Sequence, residues 1–447
     1  MMRCVRCRLL VWVVITAVAF PLAVAQAHNG SWAIDVVRPG DTLSAIAKRH
    51  GTTWKRLAQL NGLSRLHLVP GQALIVPRSS LTVGSGDTLW ELAMRHGMDV
   101  SALRHANDLR TGQHLVRGKR IRIPPPARAP IDAGLFFVPS GNDAKDRALL
   151  ARYRSMVRRV GLFDVRISTN GSLKVRSFGP ATALLRKQGQ WPYPVITNLT
   201  DKGFDDGHIR RILSDQTKRR ILIDSIWHLL KANRFPGVML DIEGLKPRDR
   251  VLYTQFLRDL SAKLRRSGME IAVSVPPKQG PDTPAHAGGY DYHAIGKYAD
   301  RVFVMTYDWH IPPFTGPGPV APYWQVKATM TYASQVISPK KLYLGIPMYG
   351  YDWNLATGKG RALSQQHALE QAIDRGVTIR FDHRSRTPFY QYTTNGQKHE
   401  VWFEDARSLA SKFALVKQQK WAGMGGWQMN LFFPQGETLF LLNFRSL

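Results

Sequence analysis

Two carboxylates close a short apolar stretch at residues 235–243, which read FPGVMLDIE. Residues i and i+2 of a strand point to the same side, so Asp241 and Glu243 would share one face of a strand. Such a pair at the end of a buried strand either supplies acid–base chemistry or is a solvated strand end. The rest of the sequence decides between these two interpretations.

Polar and aromatic residues also close other apolar runs further along the chain. Tyr307 and Asp308 follow RVFVMT, Tyr349 follows LYLGIPM, and Trp427 and Gln428 follow GMGG. Aromatic faces stack on sugar rings and carboxylates transfer protons, so this set is typical of a carbohydrate site. Each residue alone has an ordinary structural explanation, but their joint occurrence at strand ends favours a site.

A series of eight predicted strands explains why these residues would meet. From about residue 131 onward, apolar runs alternate with helical stretches. This alternation predicts an α/β fold, a (β/α)8 TIM barrel with its catalytic groups at the C-terminal strand ends. The connection after the seventh strand, roughly residues 352–418, is too long for one helix and predicts a small α+β insertion. The predicted strands are residues 135–139, 164–168, 194–199, 237–243, 271–276, 301–308, 342–349 and 423–430.

A repeat precedes the predicted barrel, at residues 33–78 and 80–125. Each copy has the pattern of a strand, two helices and a strand, with a cap at Asp41 or Thr42 and a His-Gly pair that ends the first helix. We interpret the paired histidines as structural residues rather than metal ligands. The matched residues at the start of the two copies are Gly40, Asp41, Thr42, Gly86, Asp87 and Thr88.

These two units resemble LysM domains through their Gly-Asp-Thr-Leu start, the central Asn61 and Asn107, and their Ile/Val-Pro ending. The resemblance implies that each unit binds a glycan that contains N-acetylglucosamine, such as peptidoglycan or chitin. It places the binding groove between two loops, which makes the six matched residues candidates for substrate binding. The loop pairs are Gly40–Leu43 with Leu63–Leu66, and Gly86–Leu89 with Leu109–Gly112.

The predicted barrel resembles a family 18 glycoside hydrolase, of the bacterial kind joined to LysM repeats in spore-cortex and cell-wall lytic enzymes. The motifs that carry the resemblance are FPGVMLDIE, VFVMTYDWH, GPVAPYWQV, LYLGIPMYGYDW and GMGGWQMN. The resemblance implies a substrate-assisted, retaining mechanism in which the substrate's own acetamido oxygen replaces a protein nucleophile.

That mechanism implies three catalytic residues. Glu243 would protonate the glycosidic oxygen and later act as the base for water, while Asp241 would hold the acetamido N–H of the substrate. Tyr307 would hydrogen-bond the acetamido oxygen. The resemblance implies no metal and no organic cofactor. The residues that it implies in substrate binding are Asp308, Tyr349, Trp427 and Gln428.

Two positions depart from the family signature Asp-Gly-x-Asp-x-Asp-x-Glu. Pro236 stands where the first acid belongs, and Met239 stands where the second acid or an Asn belongs. The second departure matters more, because that residue normally shares a hydrogen bond with the position of Asp241. Burial without this partner is expected to raise the pKa of Asp241, which would weaken activity or shift its pH optimum.

The first 27 residues have a basic head, an apolar centre and small residues at the end, which predicts a secretory signal peptide. An uncleaved anchor is the alternative. The two cysteines of the chain, Cys4 and Cys7, both lie in this leader. We expect a proline-rich linker at residues 126–131 and the catalytic domain at residues 132–447.

The net charge is +30. A charge of this size favours anionic partners, and export excludes nucleic acid as the default partner, so anionic cell-wall polymers are expected. We therefore predict a monomeric glycosidase, secreted or in the cell envelope, that cleaves β-1,4 bonds of peptidoglycan. Chitin as the substrate and a catalytically impaired, peptidoglycan-binding protein are the alternatives.

Overall fold

The computed structural model describes residues 31–96, 98–125, 127–281 and 287–447. The predicted signal peptide, residues 1–27, therefore lies outside the described part of the chain, and so do both cysteines. Within the described ranges, no helix has both the length and the apolar composition that crossing a membrane requires.

Eight parallel strands close into a barrel, in which neighbouring strands follow chain order and the eighth pairs with the first. This confirms the predicted (β/α)8 barrel, and each predicted run overlaps one barrel strand. The strands are apolar on both faces because one face fills the barrel and the other packs against helices. The barrel strands are Ala129–Phe137, Arg159–Ile167, Trp191–Thr197, Gly237–Asp241, Glu270–Val275, Arg301–Val304, Leu342–Pro347 and Gly423–Trp427.

Helices surround the barrel, with apolar residues at helical spacing on the face that they bury. In the helix Gln216–Ala232, Leu222, Ile226 and Leu230 are fully buried, and Asp215 caps the first turn by accepting two backbone N–H groups. The helices of this domain are Asp143–Arg152, Gly179–Lys187, Asp206–Ser214, Gln216–Ala232, Arg250–Arg265, Tyr292–Tyr298, Tyr323–Val336, Ala406–Gln419 and Pro434–Asn443. Short strands outside the barrel are Leu173–Val175, Leu199–Thr200, Gly203–Phe204 and Phe444–Ser446.

The sixth barrel strand is shorter than the sequence pattern predicts and ends at Val304. The N–H groups of Thr306 and Tyr307 each bond the carbonyl two residues earlier in the chain, at 2.8 and 2.9 Å, so the backbone turns away from the sheet. Tyr307 and Asp308 therefore lie in the loop that follows the strand, not in the strand itself.

The first barrel strand begins at Ala129, inside the stretch predicted as a linker and before the expected domain start at residue 132. The reason is a long-range pairing, because the C-terminal strand Phe444–Ser446 lies parallel to residues 129–131 and extends the sheet. A pairing between such distant residues cannot be predicted from the local sequence of a proline-rich stretch.

The predicted insertion between the seventh and eighth barrel strands is present. It is an antiparallel five-stranded sheet with one helix, Gln365–Asp374, packed against it. The sheet begins at Tyr349, directly after the seventh barrel strand, so the active-site end of the barrel and the insertion are continuous. The strands of the insertion are Tyr349–Asn354, Gly360–Ser364, Arg380–Asp382, Thr387–Thr394 and Gln397–Trp402.

Both N-terminal repeats have the predicted order of strand, two helices and strand, and in each the first and last strands pair antiparallel. Asn61 and Asn107 do the same work in the two copies: each amide donates to two backbone carbonyls and accepts one N–H of the last strand. The elements are Trp32–Val36, Leu43–Arg49, Trp54–Asn61 and Ala73–Pro77 in the first repeat, and Ser80–Thr82, Leu89–Arg95, Val100–His105 and Arg120–Arg122 in the second.

The Gly-Asp-Thr start of each repeat shapes a turn. Gly40 has a φ of 81°, in the left-handed region that favours glycine. Asp41 closes the turn by accepting the N–H of Arg38 at 2.9 Å, and Thr42 caps the helix by accepting the N–H of Ala45 at 3.1 Å. Of the two predicted caps, Thr42 is therefore the one used. The second repeat uses Gly86, Asp87 and Thr88 in the same way.

The first repeat is docked on the insertion and on the last helix of the barrel. Its apolar residues form one core with those of the insertion, in which Leu74 and Tyr390 are fully buried. In the last helix, Gln435 donates a hydrogen bond to Asn61 at 2.9 Å. A shared core and a buried polar contact hold the first repeat in a fixed position on the catalytic domain.

A network of ion pairs closes the opposite end of the barrel, where the strands begin. Arg159 contacts Asp132 at 2.8 Å and Glu270 at 3.0 Å, and its side chain is only 11% exposed. Arg301 contacts Glu270 at 3.1 Å, and the Tyr343 hydroxyl donates to Asp132 at 2.6 Å. These charges are paired and hydrogen-bonded, as buried charges must be.

Candidate active site

Glu243 lies two residues beyond the fourth barrel strand, Gly237–Asp241, at the C-terminal end of the barrel. Fully buried Asn198 holds its backbone at two points: Oδ1 accepts the N–H of Glu243 at 2.9 Å, and Nδ2 donates to its carbonyl at 2.8 Å. This clamp fixes the loop that carries the partly buried Glu243 carboxylate. The sequence pattern does not reveal Asn198, because its partner lies 45 residues away.

Asp241 is the last residue of the fourth strand, and its side chain is buried. Burial raises the pKa of Asp241 to about 6, while the neighbouring Ser274 hydroxyl opposes the rise. Met239 is also buried and lies two residues earlier on the same face of the strand, where it offers no hydrogen bond. The predicted direction of the pKa change is therefore confirmed.

Tyr307 lies close enough to three carboxylates for their charges to act on it. Burial first, and then the negative charges of Asp241, Asp308 and Glu243, raise the pKa of the Tyr307 hydroxyl well above its ordinary value. The hydroxyl therefore stays protonated and remains a hydrogen-bond donor. The structure thus brings together the three residues that the sequence singled out for catalysis.

Asp308 accepts two phenolic hydrogen bonds, from Tyr349 at 2.7 Å and from Tyr351 at 3.0 Å. Its φ of 62° lies in the left-handed region, which is uncommon for a residue other than glycine. The sequence pattern singled out Tyr349 and missed Tyr351. The spacing in MYGYDW could have indicated Tyr351, since residues i and i+2 of a strand share one face.

Trp427 ends the eighth barrel strand and belongs to a chain of aromatic rings that leads to Tyr307. The Trp427 ring lies 5.3 Å from Phe136, Phe136 lies 5.5 Å from Phe303, and Phe303 lies 6.4 Å from Tyr307. Gln428 follows, with its Oε1 buried and without a hydrogen-bond partner among the described residues. The end of the barrel therefore combines aromatic rings, phenols and carboxylates, as a sugar-binding cleft requires.

The remaining candidates lie in the repeats and are not part of this cluster. Their glycines give the turn its shape, their aspartates accept backbone N–H groups of the same turn, and their threonines cap helices. The side chains of the aspartates and threonines therefore have structural partners within the repeats. These residues are Gly40, Asp41, Thr42, Gly86, Asp87 and Thr88.

Replacing Asp241 with Asn should stabilise the protein at neutral pH and have little effect at pH 4. The folded protein keeps the Asp241 proton up to a pKa of about 6, whereas the unfolded chain loses it near 3.8. Stability present below the lower value is therefore lost as the pH rises through the higher one, by about 3 kcal/mol. Urea unfolding midpoints at the two pH values would measure this.

The matched control for that substitution is Asp201→Asn, because the Asp201 side chain is 97% exposed. We expect no pH-dependent gain from it, since exposed charges contribute little to stability. An equal gain from Asp241→Asn at both pH values would contradict the raised pKa.

A barrel of this kind, with acids and tyrosines at the C-terminal strand ends, is the architecture of a carbohydrate-active enzyme. The sequence model of glycosyl hydrolases family 18 matches residues 197–431, and the LysM model matches residues 36–77 and 81–124. The chain belongs to family 18 of the glycosyl hydrolases, and it is a glycosidase that carries two LysM domains.

Relatives share this arrangement over nearly the whole chain. The cortical fragment-lytic enzyme of Bacillus subtilis is 33% identical over 423 residues, which cover 91% of this chain and 96% of that protein. The crystal structure of the spore cortex-lytic enzyme SleL of Bacillus cereus matches with a TM-score of 0.85 at 29% identity, covering 93% of this chain and 99% of that one. The crystal structure of SleL of Bacillus megaterium matches with a TM-score of 0.78 at 29% identity, covering 94% of this chain and 99% of that one.

Proposed function

We propose that the protein is a secreted enzyme that hydrolyses β-1,4 bonds of bacterial peptidoglycan, as an N-acetylglucosaminidase. The observation that carries this proposal is the grouping of Glu243, Asp241 and Tyr307 at the C-terminal end of the barrel, in a chain with two LysM domains. The names of the relatives point to spore-cortex glycan, and the net charge of +30 suits an anionic wall.

In the proposed reaction, Glu243 donates its proton to the glycosidic oxygen as the bond to the anomeric carbon breaks. The acetamido oxygen of the same sugar attacks that carbon, and Asp241 balances the positive charge of the resulting ring. Tyr307 donates a hydrogen bond to the acetamido oxygen and orients it. Water then attacks the anomeric carbon and gives a proton to Glu243, while the bond from that carbon to the acetamido oxygen breaks and restores the acetamido group and the enzyme.

The state of Asp241 sets a pH requirement on this scheme. An ionised carboxylate is needed to stabilise a cationic intermediate, and burial holds the pKa of Asp241 at about 6. Activity should therefore rise as the pH increases through 6.

Within enzymes, chitin is the competing substrate, because both polymers carry the acetamido group that the reaction uses.

A wall-binding protein with an impaired barrel is the second candidate. The observation that favours it is the buried Met239 beside Asp241, in the place of a hydrogen-bonding residue. Retention of Glu243, Asp241 and Tyr307 supports the enzyme over this alternative.

Mass spectrometry of the soluble products from purified peptidoglycan tests the proposal. We expect the wild-type protein to release fragments that end in reducing N-acetylglucosamine, and the Glu243→Gln variant to release none. Fragments that end in reducing N-acetylmuramic acid would overturn the assigned bond. If both proteins sediment with the wall and neither releases sugar, the barrel is a binding module.

A further inference from the structure

An open groove of about 590 Å³ runs along the helix Tyr323–Val336, from Tyr323 at its start to Gln335 near its end. Gln279, Trp324 and Lys327 are among the residues that line it. Helices of a (β/α)8 barrel begin on the face where the strands end, so the Tyr323 end of this groove lies on the same face as Glu243. None of these residues has a role in the proposed reaction.

Aromatic rings and guanidinium groups alternate beside this groove. The Arg386 guanidinium lies 3.9 Å from the centre of the Tyr323 ring and 4.9 Å from the centre of the Trp90 ring. The Arg384 guanidinium lies 5.2 Å from the Trp324 ring. We call these five residues the aromatic–arginine track.

The track connects two parts of the protein that are distant in sequence. Trp90 is the second residue of the helix Leu89–Arg95 of the second LysM domain, directly after the loop Gly86–Leu89. That loop is one side of the groove that the LysM resemblance implies. The track therefore begins beside the groove of the second LysM domain and ends in the groove on the barrel.

The track is held in place by backbone contacts. The Tyr323 N–H donates to the carbonyl of Ser385 at 2.9 Å, and the Asp382 side chain accepts the Ser385 N–H at 2.6 Å. These bonds fix the loop that carries Arg384 and Arg386 against the barrel helix. A surface that is ordered before binding loses less entropy when a ligand arrives.

The track is positively charged and partly exposed, whereas its Tyr323 ring is buried. The two tryptophans, Trp90 and Trp324, are 39% and 42% exposed. Arg384, Arg386 and Lys327 form no ion pair within the ranges that the structure describes. The helix Tyr323–Val336 contains no acidic residue. The track therefore presents flat rings and unpaired cations together, which suits a sugar chain that carries carboxylates.

We propose that the aromatic–arginine track and its groove bind an acidic glycan strand, so that one strand engages the second LysM domain and the catalytic barrel together. A sugar ring stacks on Trp324, and carboxylates of the strand lie near Lys327 and Arg384. This proposal rests on the proposed function for the identity of the strand. It adds a binding surface outside the catalytic centre.

Sedimentation with two insoluble polymers tests the track, with the full chain carrying Glu243→Gln so that binding is measured without turnover. Trp324→Ala should weaken binding to purified peptidoglycan and to uncharged chitin by roughly tenfold, since a sugar ring loses its stacking partner. Lys327→Gln should weaken binding to peptidoglycan alone, by roughly threefold, and high salt should abolish the difference. Both side chains are exposed, so neither substitution should affect folding.

Trp54→Ala is the matched control, because Trp54 is 40% exposed, has Lys55 5.6 Å from its ring, and begins the second helix of the first LysM domain, outside both loops of the implied groove. It should bind both polymers as the parent does. Equal binding by Trp324→Ala, Trp54→Ala and the parent would contradict the proposal that the aromatic–arginine track binds a glycan. An equal effect of Lys327→Gln on chitin would overturn its role with carboxylates.

Failure of the track and failure of the proposed function give different results. If Trp324→Ala with Glu243 intact cleaves a short soluble fragment at the wild-type rate and binds the wall as the wild type does, only the track is wrong. If the wild-type protein cleaves nothing while Trp324→Ala still loses binding, the track stands and the proposed function is wrong.

Discussion

Replacing Glu243 with Gln should lower kcat on peptidoglycan by roughly a thousandfold and leave wall binding unchanged. The amide has nearly the same shape as the carboxyl group but has no proton to give to the leaving oxygen, and general acid catalysis of this kind contributes about 10²–10⁴ in rate. The Asn198 clamp binds the backbone N–H and carbonyl of Glu243, so the loop should keep its position. Single-turnover rates and sedimentation with the wall would measure the two effects.

Asp206→Asn is the matched control for that experiment. The Asp206 carboxylate lies 3.6 Å from Lys246, in the segment that follows Glu243, and it has no role in the proposed reaction. We expect it to keep the wild-type rate. A Glu243→Gln variant that retains a tenth or more of the wild-type rate would reject Glu243 as the proton donor.

The largest loss of stability should come from the opposite end of the barrel, where Arg159→Met breaks the ion-pair network. The substitution leaves Asp132 and Glu270 without their shared partner at 2.8 and 3.0 Å. Removing one member of a buried network costs about 3–5 kcal/mol, because the remaining charges lose their compensation. Urea unfolding would show the loss as a lower midpoint, while the activity of the folded enzyme should persist.

Arg158→Met separates the network from simple packing. Arg158 and Arg159 both lie against the Trp191 ring, at 4.1 and 4.6 Å, but only Arg159 reaches a carboxylate among the described residues. We expect a loss below 1 kcal/mol for Arg158, as is usual away from buried networks. Equal losses from the two substitutions would mean that stacking, not ion pairing, stabilises this end of the barrel.

The features that follow from local pattern were predictable from the sequence. Each barrel strand is a short apolar run, and the acids and aromatic residues at their ends are visible because they interrupt those runs. The i and i+2 spacing of Asp241 and Glu243 was enough to predict that the two side chains share one face of a strand. The rise in the pKa of Asp241 followed from Met239, since both sit on the same buried face.

The features that depend on distant partners were not predictable in this way. Asn198 looks like an ordinary polar residue after a strand, and its function appears only when the fold brings Glu243 to it. The end of the sixth strand at Val304 was missed for a different reason, because the apolar run hides a local turn. The contact between Asn61 and Gln435 joins residues 374 positions apart, so no window of sequence contains both.

The shared core of the first LysM domain and the insertion has a consequence for how binding and cleavage are coupled. A binding domain on a flexible linker adopts many positions relative to the catalytic domain, and its effective concentration depends on the length of the linker. Here Leu74 and Tyr390 lie in one core, so no tether separates the module from the barrel. Under the proposed function, the distance from the glycan groove of the first LysM domain to the catalytic site is therefore set by the fold. Glycans too short to span that distance would gain no affinity from the domain.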